Sequence, residues 1–287
     1  MATEGRLDVI LFALTGFGNP VLEALLKDNR VNLQAVFTIK YDTPFPHYAE
    51  RQLLELCQEK QVVCYHNVKV GSEEGIGLLH KHSPDLIIVA TFKQILKRNV
   101  ITLPSLGIVN LHPSLLPHYR GPCPSNAALL NDDAVTGVTV HYVTEGLDEG
   151  DILLQRFLDI GEQDNDGILR KKLAKLSGEM IPELVDLFSG FTKPIGISQA
   201  HAAASLAPKP TVEDGYLEST SEIENIRRKM RALNPLPGTS IQVGAKRIPV
   251  DRFDLSTDSR LDGLYESETA VDIVRASHAI RLYKQAN

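Results

Sequence analysis

The chain has 287 residues, 43% hydrophobic and 23% charged, with a formal net charge of −6, a balance that fits one large or two moderate globular domains. The acidic excess disfavours a surface built mainly to grip phosphate backbones. Three scattered cysteines without CxxC spacing, Cys57, Cys64 and Cys123, argue against a disulfide framework and a structural zinc site.

The opening MATEGRLDVILFALTG is too short and too poorly flanked for a signal peptide, and no apolar run reaches transmembrane length. A cytoplasmic protein is expected. LDVILFAL (7–14) reads as a buried strand and residues 19–28 as a helix, with Asn19 as N-cap and Pro20 at its first position. Residues 33–39 form the next strand, 48–60 a helix, 62–66 a short strand, 73–82 a helix, and 84–91 and 107–112 two more strands. Continuous apolar strands separated by helices indicate a Rossmann-like α/β fold, a mostly parallel sheet flanked by helices. The close pair 136–143 and 151–160 suggests an antiparallel edge, and 165–190 carries helical spacing. Residues 193–215, rich in Ala, Pro and Ser without periodicity, read as a linker between a 1–192 catalytic domain and a small mixed or β-rich module at 216–287. In that module 221–234 is helical with Ser221 and Glu224 spaced as a capping box, and 239–255 is a hairpin turned at Gly244. From residue 208 onward twelve Lys and Arg face twelve Asp and Glu, so the module is locally neutral.

In an open parallel sheet, ligands bind beyond the carboxyl ends of the strands. IVNLHPSLLPHYRGPCP (108–124) puts Asn110 and His112 at such an end, and TEGLDEGDI (144–152) offers Glu145, Asp148, Glu149 and Asp151 in a turn-rich loop. An amide, an imidazole and a carboxylate without a GxSxG nucleophile suit acyl transfer by direct attack. The amide and imidazole would hold an oxyanion, and the carboxylate would orient the ring and favour its charged form. From spacing alone, a capped turn and a solvated acidic loop account for the same residues.

NLHPSLLPHYRG, followed after a helix by TGVTVHYVTEGLDEGDILLQ, resembles the signature of the 10-formyltetrahydrofolate-dependent formyltransferases, strongly over residues 84–190. The resemblance implies a formyl donor, 10-formyltetrahydrofolate, bound near the sheet, an Asn110/His112/Asp148 catalytic set, and no metal. It also implies folate-contacting segments at Ser114, Leu115, Leu116 and Pro117 and at Thr144, Glu145, Gly146 and Leu147, with Thr91, Phe92 and Lys93 as a further wall. The prolines would keep the 113–117 loop out of helical structure.

TGFG (15–18) is a tight turn before a helix rather than a phosphate loop, since the rest of a dinucleotide fingerprint is missing. That also counts against a glycinamide ribonucleotide formyltransferase. ALNPLPGTSIQVGAKRI (232–248) resembles the entry to the C-terminal module of methionyl-tRNA formyltransferases and related sugar formyltransferases. The segment 40–52 has little of the basic insertion that the tRNA enzymes use, and PCPSN follows Arg120–Gly121 where they carry an Ala-Ala-Pro run. Pro122 stands where lipid-A-modifying sugar formyltransferases have arginine. His80 and His82 read as surface residues, His141 as structural, and His118, Tyr119 and Arg120 as either an acceptor contact or a solvated rim. The preferred acceptor is a primary amine on a nucleotide-linked sugar. Methionyl-tRNA is the alternative, a formyl-folate hydrolase or non-catalytic folate binder is less favoured, and a homodimer is admissible.

Overall fold

The computed structural model describes residues 5–41 and 49–285. The first residue of the helix expected at 48–60, and most of the segment 40–52, lie outside the described residues. The chain divides into two compact units, each discontinuous in sequence. One holds Met1–Gly121, Val135–Asp159 and Arg170–Leu206; the other holds Pro122–Ala134, Ile160–Leu169 and Ala207–Asn287.

Along the chain come β1 (Leu7–Ala13), α1 (Gly18–Lys27), β2 (Val31–Thr38), α2 (Leu53–Glu59), β3 (Cys64–His66), α3 (Glu73–His82) and β4 (Leu86–Ala90). They are followed by α4 (Arg98–Ile101), β5 (Ile108–His112), α5 (Pro124–Leu130), β6 (Val135–Tyr142), β7 (Ile152–Asp159), α6 (Asp166–Glu179) and α7 (Ile181–Phe188). In the first unit the sheet order is β3-β2-β1-β4-β5-β6-β7. The first five strands run parallel, and β6 and β7 are antiparallel additions. Apolar alternation explains the double burial. Ile10, Phe12, Phe37, Ile87, Val89 and Ile108 form one core with Leu79 of α3 and Val100 of α4, while Val9, Leu11 and Ala13 are equally buried on the opposite face.

Element ends differ from the sequence expectation where local bonds compete. Helix α1 starts at Gly18, and Asn19 sits inside its first turn, accepting from the Gly16 amide at 3.0 Å. The pattern at 165–190 is two helices, because Pro182 at the start of α7 has no N–H to continue the ladder. Residues 193–206, read as linker, lie along the first unit: Ile152 and Ile197 exchange backbone bonds at 2.8 Å, and Ser205 accepts from the Arg120 amide at 2.8 Å. Their composition lacks periodicity because they pair as single bridges.

The second unit contains β8 (Tyr216–Leu217), α8 (Ile223–Leu233), β9 (Thr239–Val243), β10 (Lys246–Thr257), β11 (Gly263–Glu266), β12 (Ala270–Arg275) and β13 (His278–Lys284). They make a six-stranded mixed sheet ordered β11-β12-β13-β10-β9-β8. The hairpin between β9 and β10 turns at Gly244, whose φ of 57° suits glycine. Leu217, Ile226, Met230, Ile241, Ile273 and Ile280 form its core. The capping box expected at Ser221 is absent: Glu222 is the N-cap, and Glu224 pairs with Arg227 at 2.6 Å instead. The earlier segments join this unit through Asn126, which donates to Ala232 O at 2.6 Å, and through buried Arg231, which donates to Asp164 O and Gly161 O at 2.8 Å. Among the described residues, no helix is long and apolar enough to cross a membrane.

Gly137 lets β6 and β7 close: a Cβ there would overlap the Arg156 carbonyl oxygen and come within 2.6 Å of Leu115 Cδ2. Gly137→Ala is expected to cost about 1–3 kcal/mol and to lower the thermal unfolding midpoint by several degrees, measured by circular dichroism.

Candidate active site

The register of three strands assembles the site. Asn110 and His112 are two apart on β5 and so project from one sheet face, the face that Ile108 shares with the apolar core. β6 runs antiparallel beside β5 with His141 directly opposite Asn110, which places His141 on the same face. The β6–β7 loop folds back over this face and brings in Asp148.

The four groups surround a small gap. Asn110 Nδ2 donates to His141 Nε2 at 3.2 Å and faces Asp148 Oδ1 at 3.5 Å. His112 Nδ1 stands 3.6 Å from Asp148 Oδ2, and His141 Nε2 stands 3.7 Å from Oδ1. Those last separations are too long for direct hydrogen bonds. The remaining ring nitrogens are anchored, because His112 Nε2 donates to Tyr119 O at 2.9 Å and His141 Nδ1 to Tyr142 O at 2.8 Å. Since a carbonyl only accepts, these contacts fix both rings' orientation and which nitrogen carries a proton. Burial pushes His141 down to about 4, with the neighbouring His112 ring adding to the effect. His141 is therefore neutral near pH 7, with its Nε2 lone pair taking the Asn110 amide proton.

Asp148 is held by its backbone as well as its side chain. Its Oδ2 accepts from the Gly121 amide at 2.9 Å, and its own carbonyl accepts from Gln199 Nε2 at 2.9 Å. Gln199 also donates to Gly150 O at 2.8 Å and accepts from Arg120 at 2.6 Å. Asp148, Tyr119 and Thr91 are non-glycine residues in the left-handed region, with φ of 48°, 61° and 55°. Such conformations persist where surrounding bonds over-determine them, as the Gln199 and Ser205 contacts do around Asp148 and Tyr119.

The loop after β5 is fastened to the sheet by Thr139, whose hydroxyl donates to Ser114 O at 2.7 Å and accepts from the Leu116 amide at 3.1 Å. Ser114 and Leu116 are buried, and the Ser114 hydroxyl is spent on His118 O at 2.6 Å. Of the expected folate segment 114–117, Leu115 and Pro117 alone present half-buried surface. Thr144, Glu145 and Leu147 are exposed beside half-buried Gly146. Thr91, Phe92 and Lys93 leave the sheet just past Val89, which pairs with Asn110. Phe92 stacks on Phe12 with ring centroids 5.0 Å apart. A groove of about 520 Å³ opens along the other flank of the 144–151 loop, lined by Tyr142, Thr144, Glu149, Asp151, Lys193 and Ile195.

Three features escaped the sequence reading. His141, read as structural, joins the cluster because β6 pairs with β5 so that it stands opposite Asn110, a register that strand alternation alone does not carry. Gln199 sits in the segment read as linker, and nothing in its composition pointed to the site. Arg120 is not a solvated rim: it is buried, and its guanidinium bonds Gln199 and, at 3.3 Å, His201.

A sequence model of the formyl transferase family matches residues 7–185. The chain belongs to that family. It is 40% identical over 173 residues to methionyl-tRNA formyltransferase of Syntrophus aciditrophicus, an alignment spanning 60% of this chain and 55% of that relative. With methionyl-tRNA formyltransferase of Methylacidiphilum infernorum, identity is 32% over 269 residues, 92% of this chain and 83% of the relative. Among solved structures, the N-formyltransferase of Helicobacter canadensis, crystallised with folinic acid and dTDP-3-aminofucose, superposes with a TM-score of 0.73 at 17% identity, over 98% of this chain and all of that one. At that identity the likeness concerns the fold. Within this formyl transferase family member, the matched segment holds Asn110, His112, His141 and Asp148 but ends before Gln199.

His141 titrates lower in the folded chain than its unfolded value near 6.5, so unfolding takes up a proton between those values. Stability is then present in full above about pH 6.5 and falls as pH drops toward 4. In chelator-treated protein, His141→Gln is expected to flatten the fall of the thermal midpoint between pH 6.5 and 4.5 relative to wild type. An identical slope would remove His141 as its source.

Proposed function

We propose that this chain is an N-formyltransferase that moves the formyl group of 10-formyltetrahydrofolate to a primary amine. The observation that carries the reading is the convergence of Asn110, His112 and Asp148 around one gap on the sheet face. The 3.6 Å between His112 Nδ1 and Asp148 Oδ2 leaves Nδ1 facing that gap. A neutral amine attacks the formyl carbon placed there, and the second Asn110 N–H and the His112 ring stabilise the oxyanion. The charged His112 ring gives its Nδ1 proton to the departing folate nitrogen as the tetrahedral intermediate collapses, while Asp148 takes the amine's proton through water and passes it back to the ring. The products are a formamide and tetrahydrofolate. The half-buried surfaces of Phe92, Leu115 and Pro117 and the Thr144–Leu147 loop are the donor's walls in this reading, and no step calls on a metal.

The acceptor we favour is a small amine, a nucleotide-linked amino sugar. The net charge of −6 and the balance of twelve cations against twelve anions from residue 208 onward supply little counter-charge for a tRNA backbone. Methionyl-tRNA is the second reading, favoured by the names of the sequence relatives. The two part on salt: phosphate contacts make tRNA use fall steeply with ionic strength, whereas a small sugar nucleotide is affected weakly.

His112→Ala and Asp148→Asn are each expected to fold and to lower turnover on the order of a hundredfold or more. The measurement is consumption of 10-formyltetrahydrofolate with nucleotide-linked amino sugars, with methionyl-tRNA and with water alone. Undiminished turnover in either variant would take that residue out of the mechanism, and consumption with water alone would make the chain a hydrolase.

A further inference from the structure

The gap in the cluster has the dimensions and chemistry of a metal site. His112 Nδ1, His141 Nε2 and an Asp148 carboxylate oxygen all lie within 4.8 Å of one another. Tetrahedral ligands at about 2.1 Å from zinc stand about 3.4 Å apart, close to the 3.6 and 3.7 Å between the carboxylate and the two rings. Each imidazole donates its other ring N–H to a backbone carbonyl, Tyr119 O at 2.9 Å and Tyr142 O at 2.8 Å. That outer support is what metal-ligating histidines characteristically have, since it fixes the tautomer; His112 Nδ1 faces the gap, and His141 Nε2 would exchange the Asn110 amide at 3.2 Å for the ion. The Gly121 amide bond to Asp148 Oδ2 at 2.9 Å orients the carboxylate in the same way. Two imidazoles and one carboxylate are a known donor set for zinc with an open fourth position, here bordered by the Asn110 amide. Both histidines are buried, at 3% and 1% exposure, while Asp148 reaches solvent and gives an entry path.

We propose that His112, His141 and Asp148 form a binding site for a divalent transition metal, zinc being the ion that fits, and that occupancy withdraws these side chains from formyl transfer. Binding needs no donor or acceptor; the loss of activity rests on the formyl-transfer reading above. The ion acts as an inhibitor, since it takes the Nδ1 atom that would face the formyl oxygen. The sequence gives no warning of such a site, because its ligands come from β5, β6 and the β6–β7 loop rather than from one short motif.

The test titrates chelator-stripped full-length protein with Co2+, following the visible d–d band, and then displaces it with Zn2+ under calorimetry. The expected result is saturable uptake of one equivalent, reversed by Zn2+. His141→Gln and Asp148→Asn should each weaken binding by at least about tenfold, with thermal midpoints and circular dichroism showing that both variants fold. The Cys57→Ser/Cys64→Ser double variant should bind as the wild type does, which separates this site from thiol capture. Absence of the band, binding unchanged in both cluster variants, or binding lost in the thiol variant would each overturn the proposal; the first would leave the gap to water or substrate. If Co2+ binds as expected while metal-free protein transfers no formyl group to any acceptor, the catalytic reading fails and the metal site stands. Where transfer is seen, Zn2+ should abolish it and EDTA restore it.

Discussion

The Asp148 carboxylate presents its two oxygens to two different imidazoles, and the first unit is arranged so that this can happen. The residue adopts a left-handed backbone conformation, which aspartate tolerates better than most side chains. The Gly121 amide grips one oxygen, and Gln199 grips the main chain behind it. An unbraced acidic loop of this composition would be solvated. Here it forms the lid of a small polar gap, and the two histidines beneath it are oriented by carbonyls that leave one nitrogen of each ring directed inward.

That arrangement places polar groups where the sheet would otherwise continue its apolar core. Ile108 belongs to the core, and Asn110 and His112 extend its row toward the strand end. Buried polar groups are tolerated when their partners are in place: the two rings have backbone carbonyls close in sequence, and Asn110 has the side chains of His141 and Asp148. The unsatisfied remainder is the gap itself, edged by contacts of 3.5 to 3.7 Å. A reacting carbonyl carbon or a metal ion would each complete it, so catalysis and inhibition would compete for one set of atoms.

The residues proposed for catalysis and the C-terminal module lie in different parts of the chain. Asn110, His112 and Asp148 fall within the segment matched to the formyl transferase family, 7–185. The C-terminal module lies beyond that segment. Its sheet is built largely from β9 to β13, yet its compact unit recruits residues 122–134 and 160–169 from the middle of the chain. A division read from composition at 193–215 misses this, because composition registers contiguous stretches, whereas these segments meet through α5 packing on α8, the pairing of Asp132 with Arg227, Arg228 and Arg231, and the Asn126 bond to Ala232 O.

Local physics alone determined much of this protein. Continuous apolar runs made β1, β2, β4 and β5 legible as buried parallel strands, α3 was readable residue for residue, and Gly244 marked its hairpin. The Asn-X-His spacing on one strand was enough to put both side chains on one face, since alternation is a property of any strand. Only the tertiary structure decided that His141 stands opposite Asn110, that Arg120 turns inward, and that Gln199 reaches the Asp148 loop. Each of these depends on which strand neighbours which and on bonds spanning 31 to 79 residues. A periodic pattern records whether a residue faces the core; it does not record which distant residue meets it there.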